Sequence, residues 1–213
     1  VDKHNIDPHI EASFNLNIVN TVNYERKDHV SILGINTFCG GTPLQIKNTF
    51  RSIGLKSVNI VNITENEKHL EDLKTVSNEA YYLGMEFDII IYENGFDNVD
   101  NIDEIIATLK KSLYPGGQLI LTTNNVAYYQ NLFTANNYEQ NLYGDGNKIS
   151  YMSWEKTSKT LLNNKFKNIN IIRLLVNYNE DMVDALIKAV PENKQEEFEI
   201  HITTSKFLIS CEA

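Results

Sequence analysis

The chain has 213 residues, of which 42% are hydrophobic and 22% charged, and its formal net charge is −9. That composition suits one soluble domain with enough apolar material for a core. The acidic balance, with no stripe of Lys and Arg, argues against a nucleic-acid partner. No apolar run approaches the length of a membrane span, and the polar start "VDKHNIDPHI" is not that of a signal peptide. The two cysteines, Cys39 and Cys211, lie far apart and suggest no disulfide framework, so a reducing, cytoplasmic setting is expected. A start at Val1 suggests a processed chain or a domain cut from a longer one.

Ile10, Phe14, Ile18 and Val22 recur every four residues and predict an amphipathic helix within a lead-in over 1–28. "HVSILGI" reads as a short, continuously apolar strand. Pro43 suits the first helical position, and Leu44, Ile46, Phe50 and Ile53 form the expected buried stripe of a helix that stops at Gly54. "SVNIVNI" is the next strand. Thr64 and Glu67 form a capping-box pair before a helix whose core face is Leu70, Leu73 and Val76. "FDIIIY" lacks polar alternation, as strands do when both sheet faces are covered. Ile102, Ile105, Ile106, Leu109 and Leu113 fit one helical face, and "YPGG" is expected to stop that helix before the strand "QLILTT".

Beyond this point lies a polar, Tyr-rich stretch, expected as a substrate-side insertion over 127–153. A helix near Trp154 to Asn164, the strand "NINIIRLLV", a helix around Asp181 to Val190 and a last strand "HITTSKFLIS" complete the chain. Strands and helices in alternation predict an open α/β sandwich with a parallel sheet, one domain over 1–213.

The stretch from Phe87 to Asn125 resembles class I S-adenosylmethionine-dependent methyltransferases. Phe87-Asp88 opens an apolar strand, and Leu113, Pro115, Gly116, Gly117 and Leu119 reproduce the family's L-x-P-G-G-x-L element. Asn125, Val126 and Ala127 match a further P-N-V-A element, with Asn124 in place of Pro. This part is similar to methyltransferases found with glycosyltransferases in cell-surface glycan synthesis. The resemblance implies a Rossmann-like methyltransferase sandwich with a mostly parallel seven-stranded sheet and an antiparallel last strand. It also implies S-adenosylmethionine as cofactor, a small-molecule or glycan-related acceptor, and a fused or associated glycosyltransferase.

The cofactor should lie at the carboxyl ends of the strands, near the switch in strand order. The resemblance places an acidic-x-Gly-x-Gly-x-Gly turn on "GINTFCGG". Gly34 then stands at the acidic position, Asn36 at the first glycine and Gly40 at the last, followed by Gly41. Asn36 tolerates a left-handed backbone. Asn62, after the second strand, occupies the ribose-binding acidic position and offers both a donor and an acceptor without charge. Glu79 is the candidate for the adenine amino group. Glu93, just past the third strand, is the candidate carboxylate for cofactor or acceptor; the plain alternative is an exposed loop acid.

Other family positions have also changed. Asp97 and Asn98 stand where relatives have Glu-His, Lys148 where they have His, and Ser150 where they have Arg. Tyr128, Tyr129, Tyr143 and Tyr151 suit either an acceptor pocket or a packed cover over the sheet end. Cys39 lacks an activating His in any motif and reads as turn packing. His4 and His9 have no metal-ligand partners at sensible spacing, so no metal is expected, and Met152 and Trp154 read as core. Two readings stand together: a methyltransferase, or a methyltransferase-shaped binding module that has lost catalysis. A nicotinamide enzyme is disfavoured by the absence of Gly-x-Gly-x-x-Gly.

Overall fold

A computed structural model of the chain describes residues 7–25, 27–64, 67–78, 86–93, 101–125, 128 and 154–213. The lead-in carries two short helices, α1 (Pro8–Ala12) and α2 (Leu16–Thr21), where one helix was expected. The break has a local cause. The Asn15 side chain accepts from the backbone of Asn17 and Ile18, restarting the helix as an N-cap.

Strands β1 (His29–Ile35), β2 (Ser57–Ile63) and β3 (Phe87–Tyr92) alternate with α3 (Gly41–Ser52) and α4 (Leu70–Val76), the latter preceded by a 3-10 turn at Glu67–His69. There follow α5 (Ile102–Lys111), β4 (Leu113–Asn124), α6 (Trp154–Asn163), β5 (Lys167–Leu175), α7 (Glu180–Lys188), α8 (Glu192–Thr203) and β6 (Thr204–Glu212). The described residues form a six-stranded sheet ordered β2-β1-β3-β4-β6-β5. The pairs among β1 to β4 are parallel, and β6 runs antiparallel to both β4 and β5.

Six strands, not seven, therefore appear among the described residues, while the antiparallel last strand is as expected. At the outer edge of β2 stands Asn78. Its backbone N–H donates to the Ile60 carbonyl at 2.7 Å, and its side-chain oxygen accepts from the Ile60 N–H at 2.9 Å. A single residue thus satisfies edge groups that another strand would otherwise take.

The run of apolar residues in each central strand divides between two cores. Leu33, Ile90, Leu119 and Leu121 face α5 and α6 through Ile102, Ile106, Leu109 and Leu161. Ile32, Ile60, Ile89, Ile91 and Ile120 face the other way, against Ile18 and Val19 of α2 and Ile46 and Phe50 of α3. Each such side chain contributes about 1.5–3 kcal/mol on burial, which is why these strands carry no polar alternation.

Four local expectations change. Ile53 is exposed rather than part of the α3 stripe, because it lies past the last helical turn. The residue before α4 is His69 rather than Thr64, so the Thr64–Glu67 pair does not cap that helix. "YPGG" belongs to β4, and α5 ends before it at Lys111. His201, Ile202 and Thr203 end α8 instead of opening the last strand.

Candidate functional site

The turn between β1 and α3 sits at the carboxyl end of the sheet beside β2 and β3. The Asn36 N–H donates to the Ile63 carbonyl at 2.9 Å, and the Glu93 N–H to the Ile35 carbonyl at 3.1 Å. All three glycine positions of the expected turn keep the left-handed backbone: φ is 54° at Asn36, 51° at Phe38 and 85° at Gly40. The path of a glycine turn persists where two glycines are gone. A bulky residue in this region costs about 1–2 kcal/mol. The Phe38 ring is half exposed and meets the His69 ring edge-on at 5.9 Å. Phe38, at the middle glycine, is the site residue that sequence reading passed over; its position between two recognised turn residues was the available signal.

The later glycines serve packing. A Cβ at Gly40 would come within 2.5 Å of Val76 and 3.0 Å of Leu73 on α4. One at Gly41 would strike the Ser13 carbonyl and lie 2.5 Å from the Ile10 carbonyl of the lead-in. Around them Ile10, Cys39, Leu44, Leu73 and Val76 form a small core of their own. Gly40 and Gly41 therefore let α4 and the lead-in close on the turn, as the third glycine does for helix packing in dinucleotide folds.

Gly34 and Asn62 are register partners across β1 and β2. A Cβ at Gly34 would overlap the Asn62 side-chain oxygen. That oxygen accepts from the Thr37 hydroxyl at 3.1 Å, and the Asn62 amide nitrogen donates to Ser77 Oγ at 2.9 Å. Asn62 is buried. The absent carboxylate at position 34 and the inward-turned amide at position 62 are thus one arrangement: the amide fills the space and ties two loops together.

Glu93 is buried, at 4% exposure, rather than an exposed loop acid. Burial pushes its carboxyl above the ordinary range, against the opposing effect of hydrogen bonds from the Thr42 and Asn15 side chains. Thr42 Oγ1 in turn accepts the Asn15 backbone N–H at 3.0 Å, so the α2 cap, the start of α3 and the end of β3 meet at this carboxyl. The second oxygen, Oε1, is buried with no hydrogen-bond partner. A buried polar atom left unsatisfied costs about 1–3 kcal/mol, and such groups concentrate where a ligand completes them.

Gly34, Asn36, Gly40, Gly41, Asn62 and Glu93 are thus brought to one end of the sheet. Glu79, Asp97, Asn98, Tyr129, Tyr143, Lys148, Ser150, Tyr151, Met152 and His4 lie outside the described residues. Tyr128 is buried against Val183 and Ile202, which is the packed-cover alternative. Asp88 is structural: its carboxylate accepts from the Ser31 backbone at 2.9 Å and its hydroxyl at 3.0 Å, and pairs with Lys27 at 2.9 Å.

Glu93 Oε1 and the left-handed path of the turn fit a polar cofactor at this strand end; the Asn62 amide, facing Thr37 and Ser77, fits one only after turning outward.

No protein-family model matches the chain, and no curated protein matches it significantly. Solved structures do. An S-adenosylmethionine-dependent methyltransferase from Mesorhizobium loti superposes with a TM-score of 0.59 at 13% identity, covering 98% of this chain and 100% of its own. A putative one from Listeria monocytogenes gives 0.59 at 15% identity, covering 97% and 99%. Phosphoethanolamine N-methyltransferase 2 of Haemonchus contortus, in complex with S-adenosyl-L-methionine, gives 0.58 at 14% identity, covering 92% of this chain and 51% of that one. The chain has the α/β fold of the class I S-adenosylmethionine-dependent methyltransferases.

Proposed function

We propose that the chain is a methyltransferase that takes S-adenosylmethionine as cofactor and methylates a small-molecule acceptor. The observation that carries this reading is Glu93: a buried carboxyl at the end of β3 with one oxygen unpartnered. The same fold holds S-adenosylmethionine in the Haemonchus contortus enzyme. When bound, the cofactor supplies a methyl group already activated on a sulfonium. The chain's own residues then have to bind, align and move a proton. Glu93 would accept a hydrogen bond or proton at Oε1, the oxygen left without a partner. The turn at Asn36 would present its backbone, and Asn62, turned from Thr37 and Ser77, would pair with a hydroxyl as both donor and acceptor. By the resemblance alone, Glu79 would meet an adenine amino group.

The finer reading rests on the resemblance around Asn125, Val126 and Ala127. It extends the acceptor to a glycan-related molecule and the partner to a fused or associated glycosyltransferase. One domain, with residues 127–153 on the substrate side, completes that reading. Free, buried Cys39 and Cys211 support a reducing, cytoplasmic setting.

The second reading, a non-catalytic module, is favoured by the inward Asn62 amide and by Phe38 at the middle glycine. Calorimetry with S-adenosylhomocysteine separates the two. Binding at micromolar concentration, weakened at least tenfold in Glu93→Gln, supports the enzyme. Absence of heat and of thermal stabilisation at millimolar ligand leaves the module reading.

A further inference from the structure

The lead-in, the turn and α4 bring together three groups that chain spacing keeps far apart. His9 on α1, Cys39 just before α3 and Asp72 on α4 each offer a ligand atom, and these atoms all lie within 4.8 Å of one another. His9 Nε2 and Asp72 Oδ2 are 3.5 Å apart. Tetrahedral zinc with thiolate, imidazole and carboxylate ligands needs ligand-to-ligand separations of about 3.3–3.6 Å. One edge of that tetrahedron is therefore present, and Cys39 Sγ, within 4.8 Å of the other two atoms, completes it by closing about 1.5 Å at most.

The surroundings of the three groups are those of a metal site as well. Asp7 Oδ1 lies 3.0 Å from His9 Nδ1, while Nε2 lies 3.5 Å from Asp72 Oδ2. A carboxylate behind a ligating imidazole is the common orienting arrangement. Ser13 Oγ lies 2.6 Å from Cys39 Sγ and donates to the Ile10 carbonyl at 3.2 Å; a thiolate at Cys39 would draw that one proton from the carbonyl to the sulfur. The sulfur is buried while the His9 side chain is 57% exposed, which leaves one side of the cluster open to solvent.

We propose that His9, Cys39 and Asp72 form a zinc(II) site with a fourth, water-accessible position. Zinc replaces the thiol proton of Cys39 and any proton on His9 Nε2, both released to solvent. The mixed sulfur, nitrogen and oxygen donor set selects zinc among common divalent ions over magnesium or calcium. The metal ties the lead-in to the turn and to α4 directly over Gly40 and Gly41, and this proposal stands apart from the methyl-transfer reading.

The test uses the reduced, metal-free full chain titrated with cobalt(II) alone, then displaced by zinc(II). One equivalent of cobalt should give thiolate-to-cobalt charge-transfer absorption that zinc abolishes. His9→Gln, a change on an exposed short helix, should weaken cobalt binding about 100-fold or more, and Ser13→Ala about tenfold. Cys39→Ser should remove the charge-transfer band; should that variant not fold, His9→Gln carries the decision. Zinc at 100 times its dissociation constant should raise Tm by about 5–10 °C in the parent chain and not in His9→Gln. Absence of the band, or a band and Tm shift unchanged in His9→Gln, overturns the site and leaves His9 an ion-pairing residue between Asp7 and Asp72.

Discussion

Replacing Gly34 by Ala is the sharpest probe of the candidate site, because the consequence depends on where Asn62 points. The added Cβ would overlap the Asn62 oxygen and lie 3.0 Å from both Pro43 Cγ and Thr37 Oγ1. Overpacking of this kind costs about 1–3 kcal/mol. Asn62→Ala alone loses the hydrogen bonds to Thr37 and Ser77 and leaves both hydroxyls to find other partners, again about 1–3 kcal/mol. In the double variant the overlap with the amide is gone and only the 3.0 Å approaches to Pro43 and Thr37 remain, so Gly34→Ala should cost about 1 kcal/mol or less there. The coupling between the two changes should therefore be favourable by about 1–2 kcal/mol, within the range for residues in contact. Urea unfolding of the four proteins measures it. At about 2–4 °C per kcal/mol for a chain of this size, thermal melts give a second reading. Additive effects within about 0.3–0.5 kcal/mol would refute the inward placement of Asn62.

Glu93→Gln should change how stability depends on pH. Burial holds the Glu93 carboxyl above its ordinary value, so between that value and the raised one the folded protein keeps a proton the unfolded chain has lost. Stability then falls as pH rises through this window; the variant should gain on the parent as pH rises above the ordinary glutamate value, and a pH-independent gap in urea midpoints would contradict the burial. Asp88 has the opposite sign: burial alone would raise it, but Lys27 and the two Ser31 bonds outweigh burial and hold it below the ordinary range. Asp88→Asn should cost about 1–3 kcal/mol near neutral pH, and that cost should shrink as pH falls through the lowered Asp88 value; an equal cost at pH 7 and pH 2 would speak against the network. Phe38→Gly should alter stability by less than about 1 kcal/mol, since released left-handed strain is offset by chain entropy and the lost His69 contact. The same change should strengthen S-adenosylhomocysteine binding severalfold in calorimetry, and unchanged affinity would remove Phe38 from the site.

The sequence by itself determined the alternation of strands and helices, because a strand buried on both faces has to be apolar throughout, as "HVSILGI" and "FDIIIY" are. It also located the turn at Asn36 to Gly41 and the carboxylate at Glu93, since both follow directly from strand ends. Contacts over long separations were not legible there. The break between α1 and α2 is different in kind: Asn15 caps Asn17 and Ile18, two and three residues on, a local signal hidden by the four-residue periodicity around it. Tertiary structure alone decided that Glu93 is buried with a bare oxygen, that Asn62 faces inward, and that His9, Cys39 and Asp72 meet. The physical reason is that burial, hydrogen-bond direction and ligand geometry are set by atoms far away along the chain, whereas periodicity is written in neighbours three or four residues apart.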